Sequence, residues 1–282
     1  MEIIFILACI PLYILNSFCD KYISTYNCKI TNIRYNLIKF IIGTVMLLPI
    51  FLGDSCKFQW GILFCGVLNG AILAISKVLM LYGYEKSSVA YMTLCHSSGL
   101  LLPCILGHFL WNETLTPVAL FGILLVILSI LLLKDTGVKK QTSGVGILIG
   151  LIILIASGGV MVLQKIIGLY FHGMGAEAFN FYGFLSATLI LSCLNGTTKR
   201  KIADKKKVLL CAAGSAISLC IISIVMTRMT STIPSVIMFP LFNGLGVILV
   251  TLLSARIFKE KLTAKSGLGI LLGLFGLFLT NL

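Results

Sequence analysis

His96 is the residue whose type and setting point most directly to chemistry. It lies in Thr93-Leu-Cys-His96-Ser97-Ser98-Gly99, near the middle of a long apolar run, with Pro103 one turn beyond. An ionisable side chain in such a run is costly in lipid and ordinarily faces the interior of a helix bundle, where it marks a substrate or proton pathway. Imidazole changes charge between about pH 5 and 8, so His96 is a candidate both to line a cavity and to couple transport to protons. The alternative is a histidine that bonds to a neighbouring helix for packing alone. Ser97 belongs to the same patch. Its counterpart patch is Pro240-Leu-Phe-Asn243-Gly244-Leu-Gly246, in which Asn243 occupies the place of His96. Two polar, glycine-containing, proline-adjacent patches predict locally loosened helices around a central cavity.

A second polar set lies nearer the start of the chain. Asn16, Asp20 and Lys21 close the first apolar run, with Gln164 and Lys165 as later counterparts. Asp20 is the second candidate for proton coupling, with Lys21 or Lys77 as its expected partner. Lys77 shares a helix face with Asn69, Gly70, Leu73 and Ser76. It either snorkels to the interface or faces the cavity, where it would favour a carboxylate-bearing substrate. Lys39 and Lys165 stand near run ends and read as snorkelling side chains. The candidate substrate-binding residues are therefore His96, Asn243, Asn16, Asn69, Lys77 and Ser97.

Enzyme chemistry finds little to work with. The chain has three histidines and nine acids, with no P-loop, H-E-x-x-H or G-x-S-x-G motif. The ten cysteines are scattered, without a C-x-x-C pair, so they read as small buried apolar side chains rather than metal ligands or a disulfide framework. No cofactor and no metal is expected.

The elements that must position these residues are set by composition. Apolar residues make up 59% of the chain, charged residues 11%, and mean hydropathy is +1.08. Soluble domains carry about 25% charged residues, and about 20 apolar residues suffice for one helix to cross a bilayer. The sequence predicts ten spans near 3–22, 36–52, 60–82, 88–110, 116–134, 144–169, 175–195, 208–227, 233–256 and 264–282. Continuous apolar runs such as 118–133 exclude a transmembrane barrel, whose strands alternate. The expected fold class is thus an all-α, polytopic, multi-pass protein of a plasma or bacterial inner membrane, with the lipid bilayer as a constant partner. The first segment reads as a retained span rather than a cleaved leader.

The net charge of +13 does not imply nucleic acid. Seventeen of the 22 Lys and Arg fall in the odd-numbered connections and two (Lys57 and Arg228) in the even-numbered ones. This asymmetry is the positive-inside pattern, and it places both termini outside the cytoplasm.

The chain is also duplicated. Glu113-x-Leu115-Thr116 and Glu260-x-Leu262-Thr263 carry one signature, and Ser88/Ser235, Val89/Val236, Gly99/Gly246 and Gly122/Gly269 keep its register. At a slightly shorter offset, Lys21/Lys165, Asn36/Asn180 and Phe40/Phe184 also match. Residues 1–134 hold five spans and residues 144–282 five more, joined by the linker 135–143. An odd number of spans per half forces the second half into the membrane in the opposite sense, giving inverted repeats with a site at their interface near the midplane. Thr116 and Thr263 read as helix caps, with Glu113 and Glu260 placed to meet the positive end of the following helix. Gly269 and Gly273 let the last span approach a neighbour closely, within the bundle or in a weak homodimer.

Two five-span halves with Glu-x-Leu-Thr between the fourth and fifth span of each resemble the drug/metabolite transporter superfamily, EamA-like branch, over nearly the whole chain. The phrases Phe109-Leu-Trp-Asn-Glu-Thr-Leu-Thr116 and Ile257-Phe-Lys-Glu-Lys-Leu-Thr263 carry the likeness. The resemblance implies a secondary carrier of a small molecule, often an exporter, with a cavity lined by spans one, three, four, six, eight and nine. It also implies both termini in the cytoplasm, opposite to the loop charges. A flippase for a lipid-linked substrate and a membrane sensor or assembly subunit are the alternatives.

Overall fold

The computed structural model describes residues 2–25, 32–53, 58–86, 89–114, 116–133, 144–171, 175–195, 205–257 and 264–279. Among the described residues the chain forms eleven α-helices and no strand. They are α1 (Glu2–Thr25), α2 (Asn32–Gly53), α3 (Trp60–Lys86), α4 (Val89–Ser98), α5 (Leu101–Trp111), α6 (Pro117–Leu133), α7 (Gly144–Tyr170), α8 (Ala176–Asn195), α9 (Lys205–Met229), α10 (Ser235–Ile257) and α11 (Ala264–Leu279). Helices are the local solution because a chain in hydrocarbon must satisfy its backbone polar groups within itself. α1, α2, α3, α7, α8 and α9 are each long and apolar enough to span a membrane, while α6, α10 and α11 contain shorter apolar stretches.

The expected fourth span, 88–110, is two helices rather than one. Pro103 has no N–H and its ring crowds the carbonyl four residues back, at Gly99. The chain responds with tighter turns: Gly99 N–H bonds to His96 O (3.3 Å), Leu100 N–H to Ser97 O (3.2 Å) and Leu102 N–H to Gly99 O (3.1 Å). Pro240 of the counterpart patch, which is not at the repeat position of Pro103, lies inside an unbroken α10, so the expected loosening occurs in one patch only.

The helices pack as two compact units, Met1–Glu85 with Leu163–Thr232, and Lys86–Val162 with Ile233–Leu282. Each takes helices from both halves of the sequence. The linker 135–143 lies outside the described residues.

In the first unit α2 packs along α8 and α9, and α1 along α9. Phe40 and Phe184 meet edge to face with ring centroids 5.3 Å apart, and Thr44 Oγ1 lies 3.1 Å from Thr188 Oγ1. Both are pairs of repeat equivalents. Phe179, Phe181 and Phe184 of α8 are buried in packing, Phe181 stacked on Phe51 at 4.5 Å.

In the second unit α6 lies along α11. A Cβ on Gly273 would meet Ser129 Oγ at 2.6 Å, and one on Gly276 would meet the Gly122 carbonyl oxygen at 2.7 Å and Val126 N at 2.9 Å. The contacts Ser129–Gly273 and Val126–Gly276 exchange under the repeat, so this pair of helices is also two-fold related. Gly273 is thereby spent on packing within the unit.

Candidate functional site

The first unit contains a buried charged network that joins three helices. On α1, Asn16 and Asp20 are one turn apart; on α2, Tyr35 and Lys39 are one turn apart; each pair therefore shares a helix face. Lys39 Nζ donates to Asn16 Oδ1 (2.9 Å) and to both Asp20 oxygens (3.1 and 3.2 Å). The Tyr35 hydroxyl donates to Asp20 Oδ1 at 2.9 Å. Ser215 of α9 adds one hydroxyl proton, within reach of either Asn16 Oδ1 or Asp20 Oδ1. Lys39 is fully buried and the Asp20 side chain is 8% exposed. Two charges taken out of water cost several kcal/mol each and are held only by close pairing and full hydrogen bonding, which this arrangement supplies.

These positions correct three sequence expectations. Asp20 pairs with Lys39 rather than with Lys21 or Lys77. Lys39 does not snorkel, because its α2 face is turned onto α1. Lys165 does not snorkel either; it is buried and donates to the Thr230 carbonyl at 3.1 Å, beyond the last turn of α9, where a cation meets the negative end of a helix. Lys21, counted with the first connection, is likewise buried inside α1.

Lys77 of α3 is buried and lies within electrostatic reach of both Lys39 and Asp20. Its backbone carbonyl receives Asn36 Nδ2 at 3.4 Å, which fixes α3 against α2. At helical rise, Asp20, Lys39 and Lys77 sit roughly 7–14 Å from the nearest ends of their helices. Asn69, eight residues before Lys77, is about 12 Å further along α3. It is not part of this network. It packs beside Gly183 of α8, and its buried Oδ1 has no hydrogen-bond partner among the described residues.

In the second unit the broken span seats against α7. Ser157 Oγ donates to the His96 carbonyl at 2.7 Å, satisfying an acceptor at the break. Gly99 and Gly158 allow the approach: a Cβ on Gly99 would lie 2.6 Å from Gly158 N. His96 is half-buried at the end of α4, while Ser97 is fully buried with its hydroxyl unpartnered among the described residues. Asn243 is buried on α10, which packs against α4, and donates to the Phe239 carbonyl at 3.0 Å.

Thr116 caps α6 as the sequence predicts, accepting Ala119 N–H at 3.1 Å. Glu113 does something else. Asn112 ends α5 in the left-handed conformation, φ 50°, and turns Glu113 away from α6. The Glu113 carboxylate accepts the Ser235 N–H at 3.0 Å, so it caps α10, a helix of the other repeat. Glu260 and Thr263 lie outside the described residues.

The fold and these buried polar sites define a polytopic helical membrane protein built from two related halves. The EamA-like transporter family model matches residues 2–134 and again 144–282, and the chain belongs to that family. It is a membrane transporter of the drug/metabolite type, not an enzyme. A solved structure described only as "Crystal structure of protein" shares the fold, with a TM-score of 0.77 at 14% identity over 99% of this chain and 95% of that one. No curated protein matches the chain.

Sequence reasoning missed Tyr35, Lys39 and Ser215. The available signal was spacing: Asn16/Asp20 and Tyr35/Lys39 are two polar pairs with helical periodicity on consecutive spans. Only their mutual pairing required the fold.

Proposed function

We propose that the chain is a secondary active carrier that exports a small metabolite by alternating access, with Asp20 as the proton-binding group. The network around Asp20 carries this reading. At the 144-residue offset of Thr44 and Thr188, the places of Asn16, Asp20, Tyr35 and Lys39 are taken in the second repeat by Val160, Gln164, Phe179 and Gly183. The fold accepts uncharged residues at the equivalent site, so a costly ion pair in the first repeat is retained for work rather than for architecture. Inverted repeats put equivalent sites on opposite sides of the membrane, which gives the carrier a charged latch on one side and a neutral one on the other.

A proton on Asp20 removes the partner of Lys39 and loosens the hold of α1 on α2. The groups facing Asp20 are Tyr35 and Lys39 from α2, Lys77 from α3 and Ser215 from α9, with the thiols of Cys19 and Cys211 close by. His96 is assigned to the substrate pathway, together with Ser97 and Asn243 of the same unit. Export is the direction carried by the family resemblance. The test is flux under an imposed pH gradient. It should persist in His96→Ala and lose its pH dependence in Asp20→Asn; the reverse pattern would move the proton to His96.

A further inference from the structure

The Asp20 network holds one more cation than anion. All three N–H donors of Lys39 are used, on Asn16 Oδ1 and on the two oxygens of Asp20. Asp20 is engaged by Lys39 and Tyr35, and the one Ser215 hydroxyl proton lies within reach of it and of Asn16 Oδ1. Lys77 is left over. It is 8% exposed, and among the described residues its ammonium has no hydrogen-bond or ion-pair partner. A buried cation is costly unless a counter-charge or hydrogen-bond acceptors meet it, and the carboxylate of Asp20 is already taken.

We propose that Lys77 binds the anionic group of the transported molecule, so that the substrates are small organic monoanions, carboxylates foremost, rather than cations or neutral solutes. This rests on the carrier reading. The excess charge is one, which matches one carboxylate. Protonating Asp20 raises the excess to two, so proton and anion bind cooperatively, and by linkage each strengthens the other. Anion affinity should therefore rise as pH falls. In Asp20→Asn it should be high at every pH.

The experiment is thermal unfolding of the purified full-length protein in neutral detergent. The titrants are aliphatic, aromatic and N-acyl-amino-acid monocarboxylates, each alongside its amide and its amine. At least one carboxylate should bind about tenfold or more tightly than its two analogues, the scale of a charge-assisted hydrogen bond. Lys77→Met should abolish that preference and Lys77→Arg should keep it. Equal binding of amide and acid, or a preference that survives Lys77→Met, overturns the proposal. Stabilisation by phosphatidylglycerol alone also overturns it, in favour of a lipid headgroup. Should Lys77→Met fail to fold, the pH-independent affinity expected of Asp20→Asn decides. Gradient-driven flux of neutral or cationic solutes, without carboxylate preference, sinks this proposal and leaves the carrier standing. Carboxylate binding at Lys77 without any flux keeps the anion site but overturns the carrier reading, and with it the assignment of the anion as a transported substrate.

Discussion

Phe40 and Phe184, which occupy the same place in the two repeats, meet edge to face with ring centroids 5.3 Å apart. A residue touches its own repeat equivalent only where the two-fold relation passes between them. Thr44 and Thr188, one turn along, do the same at 3.1 Å. The axis therefore runs through the α2–α8 interface, the place that changes least when two inverted repeats exchange roles. In a cysteine-free background, Thr44→Cys with Thr188→Cys should cross-link on mild oxidation and leave flux largely intact. Failure to cross-link would contradict the pairing; cross-linking that stops flux would contradict a static axis.

The Asp20–Lys39 pair should be costly to break and cheap to remove. Asp20→Asn or Lys39→Met alone leaves a buried charge or donor stranded, a loss on the order of 3–5 kcal/mol. Asp20→Leu with Lys39→Met, which leaves the pair uncharged as at the equivalent positions Gln164 and Gly183, should recover most of that stability while the pH dependence of flux stays lost. Recovery of both stability and pH-dependent flux in the double variant would reduce the network to scaffolding.

Glu113 supplies the acceptor for an N–H at the start of α10. Glu113→Ala should lower stability by about 0.5–2 kcal/mol, and Glu113→Gln by less, since an amide oxygen still accepts. Thermal unfolding in detergent reads the difference. Equal losses in the two variants would mean that the cap is not what Glu113 contributes.

The break before Pro103 separates packing from transport. Gly99→Ala drives a methyl against Ser157 Oγ and the Gly158 backbone and should cost about 1–3 kcal/mol of overpacking. Pro103→Ala restores the missing N–H donor and should raise stability. If the broken helix belongs to the transport cycle, the same substitution lowers flux; unchanged flux would make the break incidental.

Much of this architecture was legible in the sequence because repeats and apolar runs are local patterns. The matched Glu, Thr and Gly positions exposed the duplication, and the glycine- and proline-bearing patch around His96 marked where the fourth span loosens, though not that it divides into two helices. Partners distant in the chain were not legible. Glu113 sits beside the start of α6, and its helix-dipole reading named the nearer helix, whereas the left-handed turn at Asn112 sends it to Ser235, 122 residues away. Lys39 read as a span-end lysine because burial depends on which neighbour a helix face meets, and α1 provides that neighbour only in three dimensions.

The central claim is carriage driven by a gradient, and proteoliposome flux with purified protein measures it most directly. The panel should include monocarboxylates, amino acids, nucleosides, sugars, polyamines and lipophilic cations, with and without a pH gradient. The account predicts saturable uptake of at least one solute, accelerated by the pH gradient and showing counterflow. No saturable flux of any solute, in protein shown to be folded and inserted, would contradict it.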